Sequence, residues 1–332
     1  MHKRDGRVCV ILLNWNGKKD TLECLHSLQS ITYKRMQTIV VDNGSTDDSV
    51  QAIRKEYPLI PILETGENLG FAGGNNIGIK WALRKPFEWI LLLNNDTTVD
   101  PGFIEAFLDA AKEKKAKLLG AKIYRYHDPK CIDHLGGFWN PKIAEFECPW
   151  QGKIDDGTCE DMHLVDYVSG CALFMHKAVP EKIGLLEPTF FLYWEETDYC
   201  FRAHRAGFDI WTAPKAKIYH KVSTSFTGGK PHMHYFWWRS RLLWISRNCT
   251  SREKRALYQK VILPEIIKSC RHYCLKSIQL SILRLLKRPH LTQKEKLRRY
   301  KAGLTGIFDY FRKKFGNCPI PFVTQESAIR RD

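Results

Sequence analysis

Three acidic positions stand in order along the chain, and together they outline one chemistry. Asp42 ends an apolar run, Asn94-Asn95-Asp96 ends another, and Glu195-Glu196-Thr197-Asp198 opens a polar stretch. A carboxylate at the end of a strand can accept from a ribose hydroxyl or a base N–H. A divalent cation on a diphosphate needs hard oxygen ligands and tolerates a single protein carboxylate, with phosphates and waters completing its shell. Asp96 meets that need, and Asn94 offers an amide oxygen. Neighbouring carboxylates raise one another's pKa, which suits Glu195 or Glu196 to general-base work. The combination describes transfer from a nucleotide diphosphate.

Each element also has a plainer reading. Asp42 can cap the Asn43-Gly44 turn, and Asn94 to Asp96 can be an Asx turn closing a strand. The acidic run can be a helix N-terminus interacting with the helix dipole. That last reading leaves the preceding Phe190-Phe191-Leu192-Tyr193-Trp194 unexplained, whereas an apolar wall would shield a catalytic base. His220 ends a strand-like segment; lone histidines are usually structural, but neutral imidazole is a common metal ligand. Gly66 to Gly78 reads as a glycine- and asparagine-rich loop whose backbone allows close approach and whose N–H groups can meet an anion. No Gly-Lys-Ser/Thr follows it, so it is not a Walker loop. Asn14-Trp15-Asn16-Gly17 holds a single glycine, against the G-x-G-x-x-G that a dinucleotide-binding fold requires.

The elements that must position these residues alternate. Val8 to Leu13, Thr38 to Val41, Leu59 to Leu63 and Trp89 to Leu93 are short apolar runs that predict strands. Thr21 to Leu28, a segment running towards Tyr57, Asn75 to Leu83 and Pro101 to Lys114 predict the helices between them. This rhythm implies an α/β fold with a mainly parallel sheet flanked by helices. From Tyr124 to Thr158 the chain reads as loops and short hairpins. Val165 to Met175 reads as a strand, Glu195 to Ala206 as a helix, the regions near Ile210 and Ile218 as strands, and His232 to Arg247 as an aromatic-rich helix.

The 332 residues carry a formal charge of +16, but residues 251–332 hold 20 Lys/Arg against 6 Asp/Glu, so the basic character belongs to the tail. There, Ile262, Ile266, Ile267, Tyr273, Ile278, Ile282 and Leu286 can form apolar helix faces beside Lys268, Arg271, Lys276, Arg284 and Lys287. Such a basic amphipathic extension suits an anionic membrane surface; packing or dimerisation explains it equally well. It has no recognisable nucleic-acid motif, so no nucleic acid is expected as partner. A non-catalytic nucleotide-binding scaffold, or a nucleic-acid-binding protein working through its basic tail, is the alternative. A nucleotidyltransferase would need a glycine-rich, Lys/Arg-containing signature near the first strand, which is absent. Eleven cysteines without a CxxC pair fit thiols in a reducing compartment. With no signal-peptide pattern and no span of about 20 apolar residues, a cytoplasmic protein is expected, peripheral at the inner face of the cell membrane if the tail binds there.

Taken together these motifs resemble the family 2 glycosyltransferases of the GT-A fold, within them the rhamnosyltransferase-like branch. The resemblance rests on Asn14-Trp15-Asn16-Gly17, Val41-Asp42-Asn43-Gly44-Ser45, Asn68-Leu69-Gly70-Phe71-Ala72-Gly73-Gly74-Asn75-Asn76, Leu93-Asn94-Asn95-Asp96 and Tyr193-Trp194-Glu195-Glu196-Thr197-Asp198-Tyr199-Cys200-Phe201-Arg202. It implies an inverting enzyme that uses a dTDP- or UDP-sugar, with dTDP-rhamnose first and UDP-hexoses next. The acceptor it implies is a saccharide or lipid-linked saccharide in cell-surface polysaccharide synthesis. By the same resemblance Trp15 lies near the pyrimidine, Asp42 bonds to it, and Asn68 and Asn76 line the donor pocket, with Asn94 and Asn95 also at the nucleotide. Asp96 and His220 hold Mg²⁺ or Mn²⁺, and Glu196 is the base, with Glu195 its competitor. Two departures stand out: Asn94 replaces the first acid of the family's D-x-D, and Glu196 replaces the more usual Asp. The organisation expected is a transferase domain over residues 1–250 (donor half about 1–122, acceptor half about 123–250) and a helical extension over 251–332.

Overall fold

The computed structural model describes residues 6–221, 230–286, 289 and 291–319. Lys287 of the basic tail lies outside the described residues. In chain order the elements are β1 (Val8–Asn14), α1 (Lys18–Gln29), β2 (Met36–Asp42), α2 (Ser49–Glu56), β3 (Ile62–Glu64), α3 (Gly70–Leu83), β4 (Trp89–Asn94), β5 (Thr97–Val99) and α4 (Phe103–Lys114). There follow β6 (Leu118–Arg125), β7 (Asp128–His134), β8 (Phe138–Asn140), β9 (Glu145–Glu147), β10 (Ala172–His176), α5 (Ala178–Ile183), α6 (Glu195–Arg205) and β11 (Ile210–His220). Four helices complete the chain: α7 (Pro231–Asn248), α8 (Ser251–Leu257), α9 (Leu263–Leu285) and α10 (Leu291–Phe311), with a π-helical turn at Tyr258–Ile262 joining α8 to α9.

The described residues pack as two compact units. The first comprises 6–139, 146–188 and 195–221 and is built on a nine-stranded mixed sheet in the order β3-β2-β1-β4-β10-β6-β11-β5, with β7 also on β6. β3, β2, β1 and β4 are parallel neighbours, and β10 runs antiparallel between β4 and β6. Alternation along each strand feeds two cores. In β1, Val8, Val10 and Leu12 join Cys24, Leu25, Phe103 and Phe107 of α1 and α4 on one face. Cys9 and Ile11 join Ala72, Ile79, Tyr199 and Cys200 of α3 and α6 on the other. This is the period-2 pattern of a sheet covered on both faces.

Three expectations need correcting. The glycine-rich stretch is not a loop throughout, because α3 starts at Gly70. Helix propensity opposes that, but packing overrides it: a Cβ at Gly74 would stand 2.4 Å from Leu13 Cδ1, and one at Gly78 2.5 Å from Ile11 Cγ2. Only glycine lets α3 lie this close to the sheet. The strand expected over 165–175 is regular only from Ala172, where pairing with β4 begins. The two strand-like regions at Ile210 and Ile218 are one strand, β11, which passes Pro214 through a register shift between Ala213 and Lys217.

The second unit comprises residues 140–145, 189–194 and the described residues from 230 onward. α7 belongs here, with α8, α9 and α10. Close helix packing explains why: a Cβ at Gly306 of α10 would stand 2.2 Å from Tyr235 O of α7, and Tyr235 donates to Asp309 at 2.7 Å. Arg239 and Ser240 of α7 donate to Phe190 O, and Ser240 also reaches Leu192 O at 3.0 Å. The segment they hold contains Phe191, Tyr193 and Trp194, all left-handed (φ +67°, +65° and +72°). Bulky residues rarely adopt that conformation unless surrounding structure imposes it.

Candidate active site

The carboxyl ends of β1, β2 and β4 lie side by side, because Asn14 pairs with Asp42 and Leu13 with Asn94 in the parallel ladders. Asn14 Nδ2 donates to Asp42 Oδ1 at 2.8 Å and to Ser45 Oγ at 3.1 Å, while its Oδ1 accepts from Thr21 at 2.8 Å. Ser45 N–H donates to Asp42 Oδ2 at 3.0 Å, so the turn-capping reading of Asp42 is realised. Each carboxylate oxygen accepts more than one bond, so this does not exhaust Oδ2. Asn16, itself left-handed at φ +51°, accepts from Thr46 N–H at 2.7 Å and Asp47 N–H at 3.2 Å. These bonds stitch the β1–α1 and β2–α2 turns together and leave Trp15 49% exposed beside them.

The other asparagines separate by their partners. Asn68 Oδ1 accepts from Gly70 N–H at 2.8 Å and Asn43 Nδ2 at 3.1 Å, which fixes the start of α3. Asn76 Nδ2 donates to Leu186 O at 2.8 Å and its Oδ1 accepts from Leu186 N–H at 3.0 Å. Its amide is therefore engaged as a tie between α3 and the chain leading towards α6. Asn95 donates to Thr21 at 2.8 Å, inside the network around Asn14. Asn94 is half-buried, and its main-chain carbonyl accepts from Thr97 at 2.7 Å.

Asp96 and His220 meet because β11 pairs antiparallel with β5, setting His220 opposite Thr97. His220 Nε2 is 3.3 Å from Asp96 Oδ1, and its Nδ1 is 3.1 Å from Asp133 Oδ2. Burial disfavours the imidazolium, but the hydrogen bond to Asp133 and the nearby Asp96 carboxylate outweigh it and lift the His220 pKa to about 9. Nε2 is buried and lacks hydrogen-bond geometry to any partner. Once a cation displaces its proton, a nitrogen so placed, next to a carboxylate, fits a hard divalent ion: Asp133 on the far nitrogen fixes which one faces Asp96. No group of three or more His, Cys, Asp or Glu side chains among the described residues is arranged to hold a metal. The pair would therefore need phosphate and water ligands to complete a shell.

α6 carries the acidic run. Arg202 pins it, bonding Asp198 at 2.8 Å one turn back and the carbonyls of Ile183 and Leu185 at 2.9 and 2.8 Å. Glu195 is buried and Glu196 half-buried, and Oε2 of each is a buried oxygen without a hydrogen-bond partner. Burial raises the pKa of both, and the charge of Glu196 raises Glu195 further, well above the ordinary carboxylate value. Gly170 makes room for Phe71, whose ring a Cβ there would meet at 3.0 Å, and it lies against Glu196, whose Cβ would be in ordinary contact at 3.5 Å. Tyr167 and Cys148, joined at 3.0 Å, lie within electrostatic reach of Glu196.

Asp133, Asn14, Gly170 and Tyr167 were not singled out from sequence. Asp133 sits in Cys131-Ile132-Asp133-His134, which carries no spacing signal, and reaches His220 only through the pairing of β7 and β11 with β6. Asn14 stood inside a quoted motif, but its central place follows only from the strand register.

The family model for glycosyl transferase family 2 matches residues 9–181. An N-acetylglucosaminyl-diphospho-decaprenol L-rhamnosyltransferase of Mycobacterium tuberculosis is 28% identical over 266 residues, covering 67% of this chain and 83% of that protein. Among solved structures, a mannosyltransferase of Pyrobaculum calidifontis in complex with GDP-Man and Mn²⁺ superposes with a TM-score of 0.56 at 12% identity, covering 94% of this chain and 89% of that one. GalNAc-T7 with UDP, GalNAc and Mn²⁺ superposes with a TM-score of 0.58 at 13% identity, over 72% of this chain and 48% of that one. The motifs, the mixed sheet with its strand-end site and the family match agree, and the chain belongs to glycosyl transferase family 2, with the GT-A fold and a likeness to its rhamnosyltransferases.

Proposed function

We propose that this glycosyltransferase moves a sugar from a nucleoside-diphosphate donor, dTDP-rhamnose first and a UDP-hexose next, to a hydroxyl of a saccharide or lipid-linked saccharide. The observation that carries the proposal is the half-buried Glu196 carboxylate, with an unpartnered Oε2 and a raised pKa, in the fold that holds the Asp96–His220 pair. Trp15 faces the pyrimidine and Asp42 accepts from it. Asp96 and His220 would hold Mg²⁺ or Mn²⁺, and the bound ion would neutralise charge on the diphosphate. Glu196 removes the proton from the acceptor hydroxyl. That oxygen forms the new bond to the anomeric carbon from the face opposite the diphosphate, and the bond to the diphosphate breaks with its electron pair. One displacement inverts the anomeric configuration. The role in cell-surface glycan synthesis is supported by the decaprenol-linked acceptor named for the mycobacterial relative.

The test is calorimetric binding of dTDP, UDP, GDP and NAD, with and without Mn²⁺. Metal-dependent binding of dTDP or UDP is expected. Preference for GDP overturns the donor assignment, and binding of NAD alone overturns the transferase mechanism.

A further inference from the structure

The site above makes no use of the basic, apolar C-terminal region. One side of α9 is accounted for: Leu280 is buried, and His272 Nδ1 lies 3.2 Å from Tyr300 Oη of α10. The opposite side is not. At 3.6 residues per turn, Ile267, Arg271, Leu275, Ile278, Ile282 and Leu285 fall in one arc of about 80°, centred opposite Leu280. The five aliphatic members are 51%, 59%, 59%, 52% and 86% exposed. They form a continuous stripe about 27 Å long by the helical rise, and a folded protein seldom leaves such a stripe in water without use.

Its charge indicates what covers it. Arg271 lies inside the stripe, and Lys268, Lys276 and Arg284 stand on the same helix. The one acid of α9, Glu265, is held by Arg241 at 2.6 Å. A second copy of this face would bring like charges together, which opposes self-association. Protein-binding hot spots favour Trp, Tyr and Arg, whereas this stripe is isoleucine and leucine beside cations, the composition of a helix lying in a lipid interface.

We propose that α9 docks on an anionic lipid surface, with Ile267, Leu275, Ile278, Ile282 and Leu285 in the acyl boundary and Lys268 and Arg271 at headgroup phosphates. The docking stands independently of the transferase reading. No helix among the described residues is long and apolar enough to cross a membrane, so the contact is one of lying on the surface.

The test uses the full chain with vesicles of phosphatidylcholine alone and of equimolar phosphatidylcholine and phosphatidylglycerol. Cys270 and Cys274, the exposed thiols among the described residues, take an environment-sensitive dye. Co-sedimentation with the anionic vesicles only, weakening with salt, and a blue shift of the dye are expected. Lys268→Gln with Arg271→Gln should weaken partition about 25-fold, at about 1 kcal/mol per charge. Ile278→Ser with Ile282→Ser should remove the blue shift. Unchanged thermal unfolding and nucleotide binding in the variants show that they fold, and report on the donor site separately. Absence of vesicle binding, or binding and dye shift that survive both double variants, overturns the proposal. A wild-type dimer that Ile278→Ser with Ile282→Ser converts to monomers, without lipid binding, assigns the stripe to self-association instead.

Discussion

Asp133 Oδ2 stands 3.1 Å from His220 Nδ1, although the two residues are 87 positions apart in the chain. The contact exists because β7 and β11 both pair with β6, and it leaves His220 Nε2 facing Asp96. Asp133 therefore orients the imidazole without itself facing the expected cation.

This separates two kinds of metal variant. Asp96→Ala should abolish the Mn²⁺ dependence of dTDP or UDP binding. Asp133→Asn keeps both proposed ligands and should weaken Mn²⁺ about 10- to 100-fold, as loss of such orienting partners does elsewhere. Mn²⁺ titration followed by nucleotide binding measures both; an Asp133→Asn protein with wild-type Mn²⁺ affinity would show that Asp133 only fills space.

Glu196→Gln should lower the turnover rate about 10²- to 10⁴-fold, the usual contribution of a general base, with nucleotide affinity retained. Burial raises the pKa of both carboxyls, and the charge of Glu196 raises Glu195 further, so the adjacent pair favours carrying a single charge. With Glu196 as the base, Glu195 is the neutral partner that a glutamine imitates, and Glu195→Gln should retain transfer. Rate–pH profiles of the two variants check the assignment, and the reverse outcome transfers the base role to Glu195.

His134 gives a pH signature of stability. Its Nδ1 accepts from Gly136 N–H at 3.0 Å, and burial holds its pKa down to about 4, from an ordinary 6.5. The unfolded chain then binds the extra proton between those values, so stability is full above about pH 6.5 and falls as pH drops towards 4. The linked loss approaches about 3 kcal/mol at 1.36 kcal/mol per pKa unit. His220, with its pKa raised to about 9, does not titrate in this window in either state, because both are protonated below 6.5. Urea unfolding across the window should show a shallower slope in His134→Gln than in the wild type; identical slopes would exclude His134 as the source.

Gly306→Ala tests the α7–α10 crossing. Alanine favours a helix by about 1 kcal/mol over glycine, but its methyl group would meet Tyr235 O at 2.2 Å, main chain that cannot rotate away. Overpacking of this kind typically costs about 1–3 kcal/mol, so the net effect should be destabilising. A thermal midpoint equal to or above that of the wild type would mean that the helices part without cost.

The sequence carried the strand–helix alternation well, because burial on both faces of the sheet leaves unbroken apolar runs such as Val8 to Leu13. It carried the start of α6 within the acidic run for the same kind of reason: Tyr199, Cys200 and Ala203 recur at helical spacing and are buried. What it could not show was held by packing or register. Gly70 to Gly78 reads as flexible until Leu13 and Ile11 are seen beneath Gly74 and Gly78. No local pattern shows that both polar atoms of Asn76 bond the main chain of Leu186. Asp133 acquires meaning only through a strand pairing that no local pattern encodes.

The position of β10 has a further consequence, for recombination. A strand drawn from residues 172–176 lies between β4 and β6, both formed from residues before 126. The stretches before and after residue 122 are thus interleaved within one sheet. A chimera with a single crossover near residue 122 would bring in a foreign β10, on ladders that this protein closes with Ala172 opposite Leu93 and Phe174 opposite Leu119. Exchange of the intervening segment between relatives is better attempted with two breakpoints placed after β6 and before β10, so that the central strand stays with its native neighbours.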